Sequence, residues 1–272
     1  MHSNFNCKSN QISVVCPTFN SEDYILKTIK SIIDQSTPPD EVIFSDDGST
    51  DSTVKIIKSN QDLFFEKNIK LKILASKHNG PGHARNKGIN ESSKDWIAFL
   101  DADDLWKKNK LEIIRDKISK ESKANCFLHW EVHKKLNGTS QNLLHGKDYY
   151  SSSKPLFLQL YNRNFFSTSA IVCKKKIIQN FSGFDAKLPN AQDYDLWLKM
   201  ADELKLIIIP IILGYYIEKP TNITSRPYYK KIGSELLIAH RYRKKVNLRI
   251  YLAKLIRIII SKQWLYSFLR RL

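Results

Sequence analysis

The chain has 272 residues, enough for one large α/β domain or two small ones around a sizeable core. Hydrophobic content of 42% and charged content of 26% exclude wholesale disorder, and the lack of a long uncharged apolar run excludes a conventional transmembrane helix. The 44 Lys and Arg outnumber the 27 Asp and Glu by 17, and residues 221–272 hold 13 of these basic residues against one acid, Glu235, so a body of net +5 carries a tail of net +12.

The elements follow in chain order. Gln11–Cys16 is an apolar strand that Pro17 is expected to stop. Asn20 or Ser21 caps the next helix, with Glu22 and Asp23 in its first turn and Ile25, Ile29, Ile32 and Ile33 at helical spacing; Pro38-Pro39 breaks it. Glu41–Ser45 is a second strand ending in Asp46-Asp47-Gly48-Ser49, and Thr50–Lys58 is a second helix. Lys70–Ala75 is a third strand, Gly82–Ser92 a third helix and Trp96–Leu100 a fourth strand, followed by Asp101-Ala102-Asp103-Asp104. This alternation predicts a mainly parallel, doubly wound α/β sheet, in which ligands bind beyond the carboxyl ends of the strands. The polar clusters sit at those ends. Further on, Asn125–Lys135 and Ser167–Cys173 read as strands, Asn137-Gly138 as a hairpin turn, Gln192–Ala201 as a helix and Leu206–Ile212 as a strand. Leu248–Leu269 reads as an amphipathic helix, with Ile250, Lys254, Arg257 and Ser261 on one stripe and Leu248, Tyr251, Leu252, Leu255, Ile259 and Ile260 largely elsewhere. Trp264, Tyr266 and Phe268 follow, then Arg270-Arg271. Such a segment suits the anionic inner face of a membrane; the plainer alternative is a helix packed on the domain with its basic residues solvated. Met1–Asn10 has no basic region followed by an apolar stretch, so no signal peptide is expected. Cys7, Cys16, Cys126 and Cys173 are scattered, which fits a reduced, cytoplasmic setting.

The acidic clusters carry the chemistry. Three carboxylates in Asp101–Asp104 repel one another, and a hard divalent cation, Mn2+ or Mg2+, offsets that repulsion; such ions bind through one or two carboxylates plus substrate phosphates, so the implied ligand is a diphosphate. The alternative is a solvated acidic turn capping a helix over Leu105–Ile118. Asp46 and Asp47 suit ribose hydroxyls or a base N–H, or else an Asx turn. Gly80-Pro81-Gly82-His83-Ala84-Arg85 fails as a dinucleotide fingerprint, because Arg85 stands where the third glycine must admit a close helix–strand contact. His129-Trp130-Glu131-Val132-His133 lacks the zinc-protease order, since Glu131 is displaced and the surroundings are strand-like. Asp193 and Asp195 open an amphipathic helix, as a cap or as a general base at a pocket edge.

Taken together, Val14-Val15-Cys16-Pro17-Thr18-Phe19-Asn20, Asp46-Asp47-Gly48-Ser49-Thr50-Asp51, Gly82-His83-Ala84-Arg85-Asn86-Lys87-Gly88, Phe99-Leu100-Asp101-Ala102-Asp103-Asp104, Gly183-Phe184-Asp185 and Gln192-Asp193-Tyr194-Asp195-Leu196-Trp197 resemble the family 2 inverting glycosyltransferases with the GT-A fold, over roughly residues 10–225. The resemblance implies a nucleotide-sugar donor, a UDP-sugar by family frequency, and an acceptor hydroxyl, with lipid-linked surface glycans as the acceptor class. It implies that Pro17, Phe19 and Asp47 surround the base with Glu22 and Arg85 nearby, that Asp101 lies by the ribose or phosphates, that Asp103 holds the metal and that Asp193 is the general base. Position along the chain assigns His129–Glu131 and Ser167–Ser169 to the sugar pocket. The implied division is 10–105 for the donor, 106–225 for the acceptor and 226–272 as the basic helical segment. Gln192 departs from the family's usual Glu. No Gln-x-x-Arg-Trp motif is present, so a single addition is expected rather than processive synthesis. The rivals are a sugar-nucleotide pyrophosphorylase, whose glycine-rich signature Pro17–Asn20 does not supply, and a nucleic-acid-binding protein using the basic tail, which leaves the strand-end clusters unexplained.

Overall fold

Every residue of strand β1 (Ile12–Thr18) is buried, and alternate side chains enter two different cores. Val14 and Cys16 join a cluster with Val42, Phe44 and Ala98, whereas Val15 joins Ile43, Ile97 and Phe99 on the opposite face. A strand apolar on both sides needs cover on both sides, and that requirement sets the three-layer architecture. The computed structural model describes residues 10–220 and 228–260.

The remaining elements are α1 (Ile25–Ile33), β2 (Glu41–Asp46), α2 (Thr53–Ser59), α3 (Gln61–Glu66), β3 (Lys70–Ala75), α4 (Pro81–Glu91), β4 (Trp96–Phe99), β5 (Leu105–Trp106), α5 (Lys110–Lys120), β6 (Cys126–Lys134), β7 (Ser140–Leu143), α6 (Leu156–Asn162), β8 (Ile171–Lys174), α7 (Lys175–Asn180), α8 (Gln192–Met200), β9 (Leu206–Ile217), α9 (Tyr228–Arg241) and α10 (Leu248–Ile259). They form one sheet of order β3-β2-β1-β4-β8-β6-β9-β5, with β7 added beside β6. The β3-β2-β1-β4 half is parallel, as expected. Beyond β4 the sheet is mixed: β8 runs antiparallel to β4 and β6, and β9 runs parallel to β6 and antiparallel to β5.

Helix α1 shows why the cover holds. Ile25, Ile29 and Ile32 are fully buried, and burying three such side chains contributes roughly 5–9 kcal/mol. It begins later than expected and has no side-chain cap: Ser21 Oγ donates to Phe19 O, and Asn20 Oδ1 instead accepts Thr50 N–H at 2.9 Å. β1 also runs through Pro17 to Thr18. Pro17 lies past the last β1–β4 pair, Val15 with Phe99, so no ladder donor is lost there. The tight helix–strand approach denied to Arg85 occurs one turn later, where a Cβ on Gly88 would stand 2.6 Å from Val15 Cγ1.

Three further expectations shift. The helix placed at Leu105–Ile118 starts at Lys110, because Leu105-Trp106 pairs with Tyr215 and Gly214 of β9. The Ser167–Cys173 strand is preceded by a short 3-10 turn over Thr168–Ala170. The stripe Ile250-Lys254-Ile258 of α10 faces the domain, with Lys254 buried near the Tyr194 and Tyr161 rings, while Leu248, Leu252, Ile256, Ile259 and Ile260 point outward. Trp264, Tyr266, Phe268, Arg270 and Arg271 lie outside the described residues, as do Cys7 and the start of the chain. Among the described residues no helix is long and apolar enough to cross a membrane, and Cys16, Cys126 and Cys173 are free and buried.

Candidate active site

The carboxyl ends of β1, β2 and β4 and the start of α8 meet in one cleft. At its β1–β2 end, Asp46 closes a turn: its carboxylate accepts Gly48 N–H, Ser49 N–H, Ser49 Oγ–H and Thr18 Oγ–H. Gly48, at φ +81°, is required there, since a Cβ would meet His78 N at 3.0 Å and Ser76 O at 3.1 Å. Asp47 is buried and accepts Asn79 N–H at 2.9 Å and Gly80 N–H at 2.8 Å, with His78 Nδ1 at 2.8 Å, so most of its acceptor positions hold its own chain. That grip presents the His78 ring, which stacks on Phe19 at 4.3 Å between centroids with a 28° interplanar angle. Phe19 is 43% exposed, so an aromatic platform opens to solvent beside Pro17. Glu22 is exposed on the outer side of this loop and accepts Ser52 N–H at 2.9 Å.

At the end of β4 the acidic residues divide. Asp101 Oδ1 pairs with Arg85 Nη2 at 2.6 Å. Asp103 is one-quarter exposed, with Lys219 Nζ 3.3 Å from Oδ2. Asp104 is buried: Oδ2 accepts Ser169 Oγ–H at 2.6 Å and Oδ1 accepts Ile217 N–H at 3.0 Å. The solvated-turn alternative therefore fails at Asp104. Burial pushes the Asp104 carboxyl well above the usual range, reinforced by Asp103, Glu131 and Asp101. Burial also raises Asp103, with Lys219 opposing and Asp101 adding. Ser169 ties this region together, because its Oγ accepts Asp101 N–H at 3.1 Å and its carbonyl accepts Trp106 Nε1–H and Lys110 Nζ.

Asp193 faces this rim from the first turn of α8, behind Ala191 in the left-handed region. Thr168 Oγ1 donates to Asp193 Oδ2 at 3.4 Å. Burial pushes the Asp193 carboxyl up, the Arg85 guanidinium pulls it down, and Asp101 raises it again. For Arg85, burial disfavours the cation, but Asp101 and then Asp193 and Asp103 outweigh that and hold it charged. Arg85 Nε has no hydrogen-bond partner among the described residues. The buried Gln192 side chain packs against the start of α4: its Nε2 donates to Leu188 O, and a Cβ on Gly82 would meet its Oε1 at 2.8 Å. Asn86 Oδ1 accepts Phe184 N–H while its Nδ2 donates to Phe184 O, and Phe184 lies under Arg85. These contacts connect the segments around Arg85, Phe184 and Asp193.

Arg85, Asp101, Asp103 and Asp193 thus share one electrostatic neighbourhood, and the Asp47–His78–Phe19 group stands at the β1–β2 end, whereas Pro17 is buried within β1 and Glu22 is exposed. Two guesses about the sugar pocket separate. Thr168 touches Asp193, but His129 and Glu131 are fully buried in β6, where Glu131 Oε2 meets His145 Nε2 at 3.0 Å. Burial and then the neighbouring Lys110 push His129 well below the ordinary imidazole value. Sequence reasoning missed His78 and Lys219, which sit in loops without periodicity, and gave Ser169 a place in the sugar pocket, whereas its hydroxyl is spent beneath the acidic rim on Asp101 and Asp104.

Among the described residues no three metal-ligating side chains converge. A hard divalent ion would fit here through the partly exposed Asp103 carboxylate, its shell completed by waters or by the oxygens of a diphosphate.

The glycosyl transferase family 2 model matches residues 13–182. The amylovoran biosynthesis glycosyltransferase AmsB of Erwinia amylovora is 30% identical over 217 residues, 77% of this chain and 70% of AmsB. The GalNAc(5)-diNAcBac-PP-undecaprenol beta-1,3-glucosyltransferase of Campylobacter jejuni is 28% identical over 216 residues, 79% of this chain and 67% of that one. Other curated relatives match over a shorter stretch, and the chain then spans less than half their length: 39% of one from Bacillus subtilis and 14% of one from Rickettsia bellii. Among solved structures, S. aureus TarS 1-349 in complex with UDP superimposes with a TM-score of 0.69 at 20% identity, covering 93% of this chain and 73% of that one. The mannosyltransferase PcManGT of Pyrobaculum calidifontis, in complex with GDP-Man and Mn2+, gives 0.67 at 14% identity, covering 95% and 73%. At those identities the likeness establishes the GT-A fold.

Proposed function

Because the chain belongs to glycosyl transferase family 2, with relatives named for surface-glycan biosynthesis, we propose that its cleft moves one sugar from a nucleotide-sugar, a UDP-sugar, to an acceptor hydroxyl with inversion at the anomeric carbon. The base lies against Phe19 and His78 beside Pro17 and Asp47, with Glu22 closing the outer edge. Asp101, held by Arg85, borders the ribose and diphosphate. Asp103 is the carboxylate that would hold Mn2+ or Mg2+, which when bound supplies positive charge to the leaving diphosphate. The acceptor oxygen attacks the anomeric carbon on the face opposite the diphosphate. Its proton passes to Asp193, and the bond from the anomeric carbon to the diphosphate oxygen breaks. Burial suits Asp193 to this work by raising its basicity, and the Arg85 guanidinium opposes part of that rise. Residues 10–105 serve the donor and 106–225 the acceptor.

The observation that carries this reading is the convergence of Asp193, Arg85 and Asp101 from three separate segments onto one cleft. It is tested by donor hydrolysis screened across UDP-, dTDP- and GDP-sugars with and without Mn2+. The expected result is cleavage of UDP-sugars that EDTA abolishes; no cleavage of any donor refutes it.

The acceptor is a lipid-linked glycan reached at an anionic, inner-face membrane surface. The exposed row Leu248, Leu252, Ile256 and Ile259 on α10, with Ile260 just after it, within a segment of net +12, supports this placement through apolar insertion and charge complementarity.

A further inference from the structure

Asp103 already has a cation beside it. Ile217, at the end of β9, donates its N–H to Asp104 Oδ1, and this clamp fixes the chain two residues before Lys219. The Lys219 side chain is only 5% exposed, and its Nζ lies 3.3 Å from Asp103 Oδ2 and 3.0 Å from the centre of the Tyr24 ring. Asp104 and Asp23 add to the negative field around it. A lysine this enclosed is unusual unless it is paired, and here the pairing partner is the rim carboxylate that faces the donor's diphosphate.

We propose that Lys219 is a donor-diphosphate ligand that occupies the cation position at Asp103 until the donor arrives. An ammonium and a divalent ion cannot both sit a few ångströms from one carboxylate without strong repulsion, so the two exchange. In the free protein the ammonium neutralises Asp103. When donor and ion enter together, Asp103 passes to the ion and the Lys219 ammonium turns on its flexible stem to a diphosphate oxygen. In the free state the ring of Tyr24 lies against the ammonium opposite Asp103. The inference rests on reading Asp103 as the carboxylate at the diphosphate.

Two titrations of the full chain test it: Mn2+ alone followed by electron paramagnetic resonance, and UDP in EDTA followed by calorimetry. In Lys219→Met, Mn2+ without nucleotide is expected to bind at least fivefold tighter, since its competitor is gone. UDP without metal is expected to bind at least fivefold weaker, since a ligand is gone. Lys219→Arg keeps both within twofold of wild type. Either measurement in Lys219→Met staying within twofold of wild type overturns the proposal. Should Lys219→Met fail to fold, Tyr24→Leu decides: Mn2+ binding tightened at least twofold supports the exchange, and unchanged binding overturns it. If wild type binds no UDP at all, the reading of the cleft falls and this inference with it, whereas UDP binding that ignores Lys219 removes only the inference.

Discussion

Ser169→Ala isolates the role of the buried serine beneath the acidic rim. The change removes one oxygen that donates to Asp104 Oδ2 at 2.6 Å and accepts Asp101 N–H at 3.1 Å, while the backbone carbonyl keeps its bonds to Trp106 and Lys110. Asp104 is 2% exposed and Ser169 is 1% exposed, so water does not readily replace the lost hydroxyl. Leaving a buried carboxyl oxygen and a backbone N–H each short of a partner costs about 2–4 kcal/mol in total. For a chain of this size that lowers Tm by roughly 5–15 °C. Urea unfolding followed by circular dichroism measures the loss, with Ser167→Ala as the neighbouring control. UDP affinity of the folded variant should fall as well, because Ser169 positions the Asp101 backbone. A Ser169→Ala protein within about 0.5 kcal/mol of wild type, with unchanged UDP affinity, refutes the idea that this serine organises the rim.

Three further outcomes follow from the same structure. Asp193 must be ionised to take a proton, so kcat falls as pH drops through its raised pKa; Arg85→Gln removes the charge that pulls that pKa down and should move the acid limb of kcat to higher pH, and a limb that stays or moves down contradicts the coupling. His129 is buried neutral with its pKa depressed, so the unfolded chain takes up a proton that the fold refuses; stability should fall by up to about 1.4 kcal/mol per pH unit below about pH 6.5, and His129→Gln should flatten that slope in urea unfolding, an unchanged slope ruling the histidine out as its source. The paired change Leu252→Lys and Ile256→Lys alters side chains that are 46% and 56% exposed, so Tm should hold while binding to vesicles containing anionic lipid drops severalfold; equal vesicle binding removes α10 from the membrane surface.

The alternation of apolar runs with amphipathic runs carried the fold from β1 to β4, because β1, β2, β4 and α1 are each buried by their own local pattern. Beyond β4 the pattern failed where tertiary partners decide. Leu105 and Trp106 read as helix but pair with β9, since Gly214 leaves room beside His129 and Glu131. The packed-helix alternative leaves Lys254 among the solvated basic residues, yet it is buried close to Tyr194, and Lys110 is buried over the Trp106 ring at 3.6 Å. In the site, Asp101, Asp103, Arg85 and Asp193 were legible as short charged motifs at element ends, where side chains face a cleft by construction. His78 and Lys219 were not, because each reaches the rim only through a loop shaped by distant contacts: Asp47 for His78, and the Ile217–Asp104 clamp for Lys219. Asp46 and Asp47 were legible as a cluster but not in their division of labour, since only the folded loop reveals how many acceptor positions the backbone takes.

Asp193→Asn, assayed for both UDP binding and sugar transfer, addresses the base assignment most directly. The substitution keeps the side chain's size and removes its ability to accept the acceptor's proton. The account predicts UDP affinity within about twofold of wild type and transfer lost by a factor on the order of 100 or more, as expected for removal of a general base. Transfer at the wild-type rate, or loss of binding and transfer together, contradicts it.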